Sequence, residues 1–309
     1  MKSISAIAAI LILAVVATAQ TNNSSDDVPI LGNIPQFHLT TNGLSDAEIQ
    51  GQQLAKQLCN SLPTENFTNN GVLQIRNANG NQTNVFIRIE TTLGIGQTKN
   101  YLGKNNWSNH YQTFGENMAE SNIIQKALLL NICNTNDSFK TFSLTVTHNI
   151  VLPNLYFYFD EVVLNGHVDQ NFGSLNAKKT MTPFANSDFW ICDLGLEFFH
   201  WPEQKIIKKE FARGRGCMVL ESTNPNPSPN GYSRVDCWID EETLGIVQAK
   251  AYDAGGKLLK EFEPKSFKKV NGQWELQDME IRNVQTGSRS QIKFDLGTSN
   301  TEHSTSNNQ

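Results

Sequence analysis

Three groups of side chains in this sequence have the types and spacing to do chemistry. The first is an apolar run, Phe189, Trp190, Leu194, Leu196, Phe198, Phe199 and Trp201, bounded by Asp188 and Pro202. Aromatics at this density offer a large contact area to a chain-like ligand, so the run reads as a flexible lid or as the mouth of a lipid cavity. Turned inward, the same residues read as a short helix plugging a β-core. Phe189, Trp190, Leu194, Phe198, Phe199 and Trp201 are therefore the candidate ligand-binding residues, in a cavity wall or its lid.

The second group is the cysteines, Cys59, Cys133, Cys192, Cys217 and Cys237. Arg213 to Glu221 and Tyr232 to Asp240 flank Asn224 to Gly231, a stretch whose prolines forbid a regular ladder. Folding the chain about that loop sets Cys217 level with Cys237 and Val219 level with Val235, on one face. Cys217 and Cys237 are thus the disulfide candidates, and the pairing of Cys59, Cys133 and Cys192 stays open. A disulfide is a better reading of Gly214-Arg215-Gly216-Cys217 than an exposed nucleophile.

The third group, Asp160, Glu161, His167 and Asp169, would make an acid/base site only if the fold gathered it. No other motif supports catalysis: there is no G-x-S-x-G elbow and no Walker loop. The six histidines are scattered without the spacing of metal ligands. A hydrolase is therefore set behind a binding function, and neither metal nor cofactor is expected. The net charge of −5 is spread without a Lys/Arg block, which removes nucleic acid as a partner.

The elements that must position these residues are mostly strands. Ser45-Asp46-Ala47-Glu48 is a capping box, with Leu44 and Ile49 placed for a hydrophobic staple. Ala47, Leu54, Ala55, Leu58 and Leu62 then form one helical stripe until Pro63. Val72–Arg76 and Val85–Glu90 flank a turn-forming cluster and predict a hairpin. Met118 to Cys133 carries Ile123, Ile124, Ala127, Leu128 and Leu130 at three-and-four spacing and predicts a second helix. From Phe142 the chain turns to strand, through Leu155–Val163 and then through runs separated by turns at Asp253–Gly256, Asn271-Gly272 and Thr286–Ser288. Gln291 to Leu296 alternates Ile292, Phe294 and Leu296 with polar residues, so one face is buried and the other wet.

The beginning of the chain carries Lys2, an apolar run from Ile4 to Val16 and the small-x-small triplet Ala17-Thr18-Ala19. That is a secretory signal, with cleavage expected after Ala19 and a periplasmic or, alternatively, secreted product. The expected organisation is a signal peptide at 1–19, a flexible segment at 20–42, a single β domain at 43–297 and a disordered tail at 298–309.

From Pro183 to Leu296 the order of short motifs resembles the bacterial outer-membrane lipoprotein-sorting proteins. Those motifs are Ser187-Asp188-Phe189, Asp193-Leu194, a long hairpin, Ala251 to Lys260, Asn271-Gly272-Gln273-Trp274 and Thr286-Gly287-Ser288-Arg289. The chain departs from the simplest carriers in its length, its aromatic run and its Asn-rich N-terminal half, which places it in a separate branch. The Asn-x-Ser/Thr sites at Asn66, Asn81, Asn106 and Asn136 are then accidents of that composition. The fold expected on both grounds is α+β, mainly β: a curved antiparallel sheet forming an incomplete barrel with helices packed on its concave side. The resemblance implies a carrier without catalysis, whose partners are lipid or an acylated lipoprotein and the inner- or outer-membrane proteins that exchange it. The alternative is a sensor that uses the same cavity to regulate a protein partner.

Overall fold

A computed structural model describes residues 43–61, 66–94, 122–131, 138–148, 153–164, 167–270 and 273–295. The signal segment, the residues flanking the domain, Leu62, Pro63 and Cys133 lie outside them. Helix α1 spans Asp46–Asn60. Its start is set as the sequence requires: Glu48 N–H donates to Ser45 Oγ, and Glu48 Oε2 accepts from Ser45 N–H at 2.7 Å. Leu54, Ala55 and Leu58 form its buried stripe.

The strands form one antiparallel sheet in two meanders. The first runs β1 (Phe67–Arg76), β2 (Gln82–Gly94), β3 (Asn122–Asn131), β4 (Ser138–His148), β5 (Leu155–Leu164) and β6 (His167–Leu175). The second runs β7 (Glu203–Ala212), β8 (Arg215–Thr223), β9 (Tyr232–Asp240), β10 (Ile246–Asp253), β11 (Leu258–Val270), β12 (Gln273–Asn283) and β13 (Arg289–Phe294). The two are joined through β1 and β13, which, among the described residues, leaves β6 and β7 as opposite edges of a 13-stranded sheet. The sheet is curved and does not close into a barrel, as expected.

Two expectations are corrected. The described part of the segment predicted as a second helix, Asn122–Asn131, is strand β3, paired with β2 on one side and β4 on the other. The three-and-four spacing of Ile123, Ile124, Ala127, Leu128 and Leu130 spans only about two helical turns, and two neighbouring strands with open ladders outweigh it. The β8–β9 register also differs: Cys217 lies opposite Asp240, and Cys237 lies opposite Leu220. This is a slip of three residues, and an odd slip turns a strand over. Cys217 packs with Val219 and Trp238 on the outer face, while Cys237 lies in the inner core. All four described cysteines, Cys59, Cys192, Cys217 and Cys237, are free thiols. Because β8 and β9 are apolar on both faces, alternation could not choose which face turns inward.

The buried face of the sheet carries two apolar clusters. One gathers Leu73, Val85, Ile87, Leu144, Met279 and Ile292 from β1, β2, β4, β12 and β13. The other gathers Leu220, Val235, Cys237 and Ile239 from β8 and β9 with Leu54, Ala55 and Leu58 of α1.

Candidate functional site

The chain must travel from β6 to β7, which lie at opposite edges of the sheet. Laid flat, neighbours about 4.8 Å apart would separate those edges by nearly 60 Å, so the link must cross the sheet unless curvature brings the edges together. The residues that make this journey are 176–202, a connector with two one-turn helices, α2 (Ala177–Thr180) and α3 (Ile191–Leu194), and a 3-10 helix at Glu197–His200. The aromatic run found in the sequence is the second half of this connector.

Its docking is polar at discrete points and apolar between them. The Asp188 carboxylate accepts from Ser288 Oγ at 2.6 Å and Ser290 Oγ at 2.8 Å, tying the connector to β13 and the turn before it. On β5 the Tyr156 hydroxyl donates to Glu197 Oε2 at 2.9 Å, and Asn154 Nδ2 donates to the Gly195 carbonyl at 2.7 Å. Past the 3-10 helix, Gln204 Nε2 donates to the carbonyls of Phe198 and Trp201, and Ser222 Oγ holds the Gln204 amide from β8. Several motifs that carried the family resemblance thus meet here: Asp188 with Ser288, and Asp193 with Lys260.

Between the polar ties the apolar residues face the sheet. Phe184, Phe189, Ile191 and Leu194 join the first cluster, and Cys192, Leu196, Phe198 and Phe199 join the second, so the connector is the element shared by both. Phe189 is 1% exposed, Phe198 4% and Phe199 5%. Trp190 stacks on Tyr232 with centroids 4.4 Å apart, and Trp201 meets the Phe198 ring edge-on. Ala185, Asn186 and Leu196 hold positive φ, +53°, +59° and +48°, the left-handed region that costs an L residue about 1–2 kcal/mol. The connector therefore bends at two points, Ala185-Asn186 and Leu196.

Beneath it lies a cavity of about 40 Å³, lined by Phe189, Leu196 and Phe198 of the connector and by residues of β9 to β12, among them Tyr232, Ile246, Ala251, Phe262 and Ile281. Of the residues singled out in the sequence, Phe189 and Phe198 line this cavity. Trp190 covers the ammonium of Lys260, and Leu194, Phe199 and Trp201 pack around it in the two clusters.

Two polar residues that sequence reasoning missed also line it, Lys260 and Asp193. Lys260 is 1% exposed, and its Nζ sits 3.6 Å above the Trp190 ring and 3.8 Å from Asp193 Oδ2. Burial pulls its pKa down to about 8 against the opposing pull of Asp193. Burial likewise raises Asp193, whose Oδ2 accepts from Trp190 N–H at 2.7 Å and the Tyr232 hydroxyl at 3.1 Å. The signal for Lys260 in the sequence was its phase with Phe262, blurred by Leu259, which packs on the core from the other phase across a register shift.

A second buried polar group lies where the 3-10 helix meets α1 and β5. Burial pushes Glu197 up to about 7, lowers His148 to about 3 and His200 to about 4, and pushes Cys59 up to about 12. Cys59 Sγ is 3.7 Å from His200 Nε2, but a thiol so far above neutrality is not an activated nucleophile. The acid/base group read from the sequence is not gathered. Asp160 pairs with Lys140, Glu161 accepts from Gln170, and His167 and Asp169 are exposed on the edge strand β6.

A family model described as "Uncharacterized protein" matches residues 170–306, the connector and the second meander. No curated protein matches the chain. The structure of a DUF1329 family protein from Desulfovibrio piger is similar with a TM-score of 0.56 at 18% identity, covering 82% of this chain and 96% of that one. A putative outer membrane lipoprotein-sorting protein domain from Vibrio parahaemolyticus is similar with a TM-score of 0.54 at 16% identity, covering 80% of this chain and 91% of that one. Over most of its length this chain thus has the fold of the outer-membrane lipoprotein-sorting proteins.

Proposed function

We propose that this protein is an exported carrier or binding protein for the acyl chains of a lipid or an acylated lipoprotein, and that the ligand site is the space beneath the connector. The observation that carries the reading is the apolar cavity between the sheet and Phe189, Leu196 and Phe198 of the connector. The signal-like segment ending at Ala19 and the fold shared with a putative lipoprotein-sorting domain support the export and the cargo class.

At about 40 Å³ the cavity takes a few waters' volume and no full acyl chain. Binding a chain therefore requires the aromatic side chains of the connector to swing off the sheet. The exchange is energetically reasonable, because the chain replaces the rings against the same apolar wall and each CH₂ withdrawn from water contributes ~0.8 kcal/mol. The ties that hold the connector are a handful of hydrogen bonds, each worth about 1 kcal/mol net.

The test is displacement of a fluorescent fatty-acyl probe by unlabelled lipid. Phe262→Ala should weaken binding by about tenfold, since it removes area from the sheet wall against which the chain lies. Lys293→Asp, on the exposed face of β13, should leave it unchanged. No displaceable binding, or equal loss in both variants, contradicts the reading.

A further inference from the structure

The cavity has a feature that an acyl chain alone does not explain. Lys260 Nζ is buried and finds no hydrogen-bond acceptor among the described residues. Asp193 balances its charge at 3.8 Å, too far for a hydrogen bond, and the Asp193 oxygen facing it already accepts from Trp190 and Tyr232. Asp188, the next carboxylate of the connector, is taken by Ser288 and Ser290. The Trp190 ring covers one side of the ammonium, and the donors it leaves over in a water-poor site cost free energy unless something accepts from them.

Building on the carrier reading, we infer that Lys260 is the head-group anchor of the cavity, donating to the uncharged carbonyl oxygen of an ester- or amide-linked acyl chain. Position supports the assignment. Lys260 lies on β11 opposite Ala251 and in phase with Phe262, and all three line the cavity, so a chain lying along this wall can set its carbonyl within reach of the ammonium. Charge selects the kind of head. The Lys260–Asp193 pair is already neutral, and a carboxylate or phosphate would leave the buried site with a net negative charge. A carbonyl supplies the missing acceptor without adding charge. The lowered pKa of Lys260 agrees, because its burial is not fully offset by Asp193. Ester and amide carbonyls share this chemistry, so phospholipids and acylated proteins both qualify, and free fatty acids do not.

The test is competition against a fluorescent acyl probe by methyl decanoate, decanoate and undecane, with the full chain and with Lys260→Met, which keeps the apolar stem. The wild type should take methyl decanoate about tenfold more tightly than undecane, the worth of one charge-assisted hydrogen bond, and more tightly than decanoate. Lys260→Met should bind undecane as before and lose the preference for the ester. The wild-type comparison needs no variant, so it stands even if Lys260→Met fails to fold. A wild type that prefers decanoate, or binds ester and alkane alike, overturns the anchor while leaving the carrier reading intact. So does a Lys260→Met protein that keeps the ester preference. If none of the three displaces the probe, the carrier reading fails and the anchor with it. An N-decanoyl peptide amide against a decanoyl lysophospholipid then tells the two sources of the carbonyl apart.

Discussion

Glu197 brings a carboxyl into the core, where the Tyr156 hydroxyl donates to it and burial pushes it up to about 7 from an ordinary 4.5. The folded protein therefore keeps this proton over a window, about pH 4.5 to 7, in which the unfolded chain has released it. Stability from this group is full below pH 4.5 and is lost as the pH rises through 7. His148 and His200 act in the opposite sense, since their folded values of about 3 and 4 lie below the ordinary 6.5 and their contribution is lost on acidification. The whole-protein profile mixes the two, so Glu197→Gln is the informative variant. It should match the wild type near pH 4.5 and become the more stable protein by on the order of 3 kcal/mol above pH 7, read from urea midpoints at a series of pH values. A difference that does not vary with pH would mean that Glu197 is charged in the fold. Little of this was legible in the sequence, because Glu197 stands inside an aromatic run and its partners Asn154 and Tyr156 are some forty residues away. Lys260 was legible in principle, from its phase along β11.

At the scale of elements, two close approaches fix where the covering pieces sit. A Cβ on Gly51 of α1 would lie 2.5 Å from the backbone N and Cα of Lys205 on β7, and one on Gly195 of the connector would collide with the Tyr156 hydroxyl. Gly51→Ala should cost about 1–3 kcal/mol by overpacking, because the backbone it meets cannot turn aside. Gly195→Ala should cost a similar amount and should also break the Tyr156–Glu197 contact. Gly216→Ala, whose added carbon meets Glu241 at an ordinary 3.7 Å, is the control and should be close to neutral in the same urea titrations. Equal costs at all three positions would refute the packing argument. The start and buried stripe of α1 were readable from its capping box and its Leu54, Ala55, Leu58 spacing, because those are local signals. Strand β3 and the β8–β9 register were not, because a short apolar run and a pair of strands apolar on both faces are decided by neighbours far along the chain.

For the whole molecule, the arrangement follows from one topological fact: two meanders zip together through β1 and β13 and leave their linked ends at opposite edges. The link then becomes the cover of the apolar face, and the side chains it lays there occupy the space that the proposed ligand needs. Sequence order and turn chemistry made the meanders legible, but no local signal states that residues 176–202 cross the sheet. The proposed acyl ligand enters as Phe189 and Phe198 of this connector swing off the sheet while Asp193 stays beside Lys260. Amide hydrogen exchange of the full chain, followed by mass spectrometry with and without methyl decanoate, tests it most directly. Ligand should speed exchange in residues 176–202 and leave β9 to β12 as protected as before. Unchanged exchange in the connector at a ligand concentration that saturates binding would contradict it.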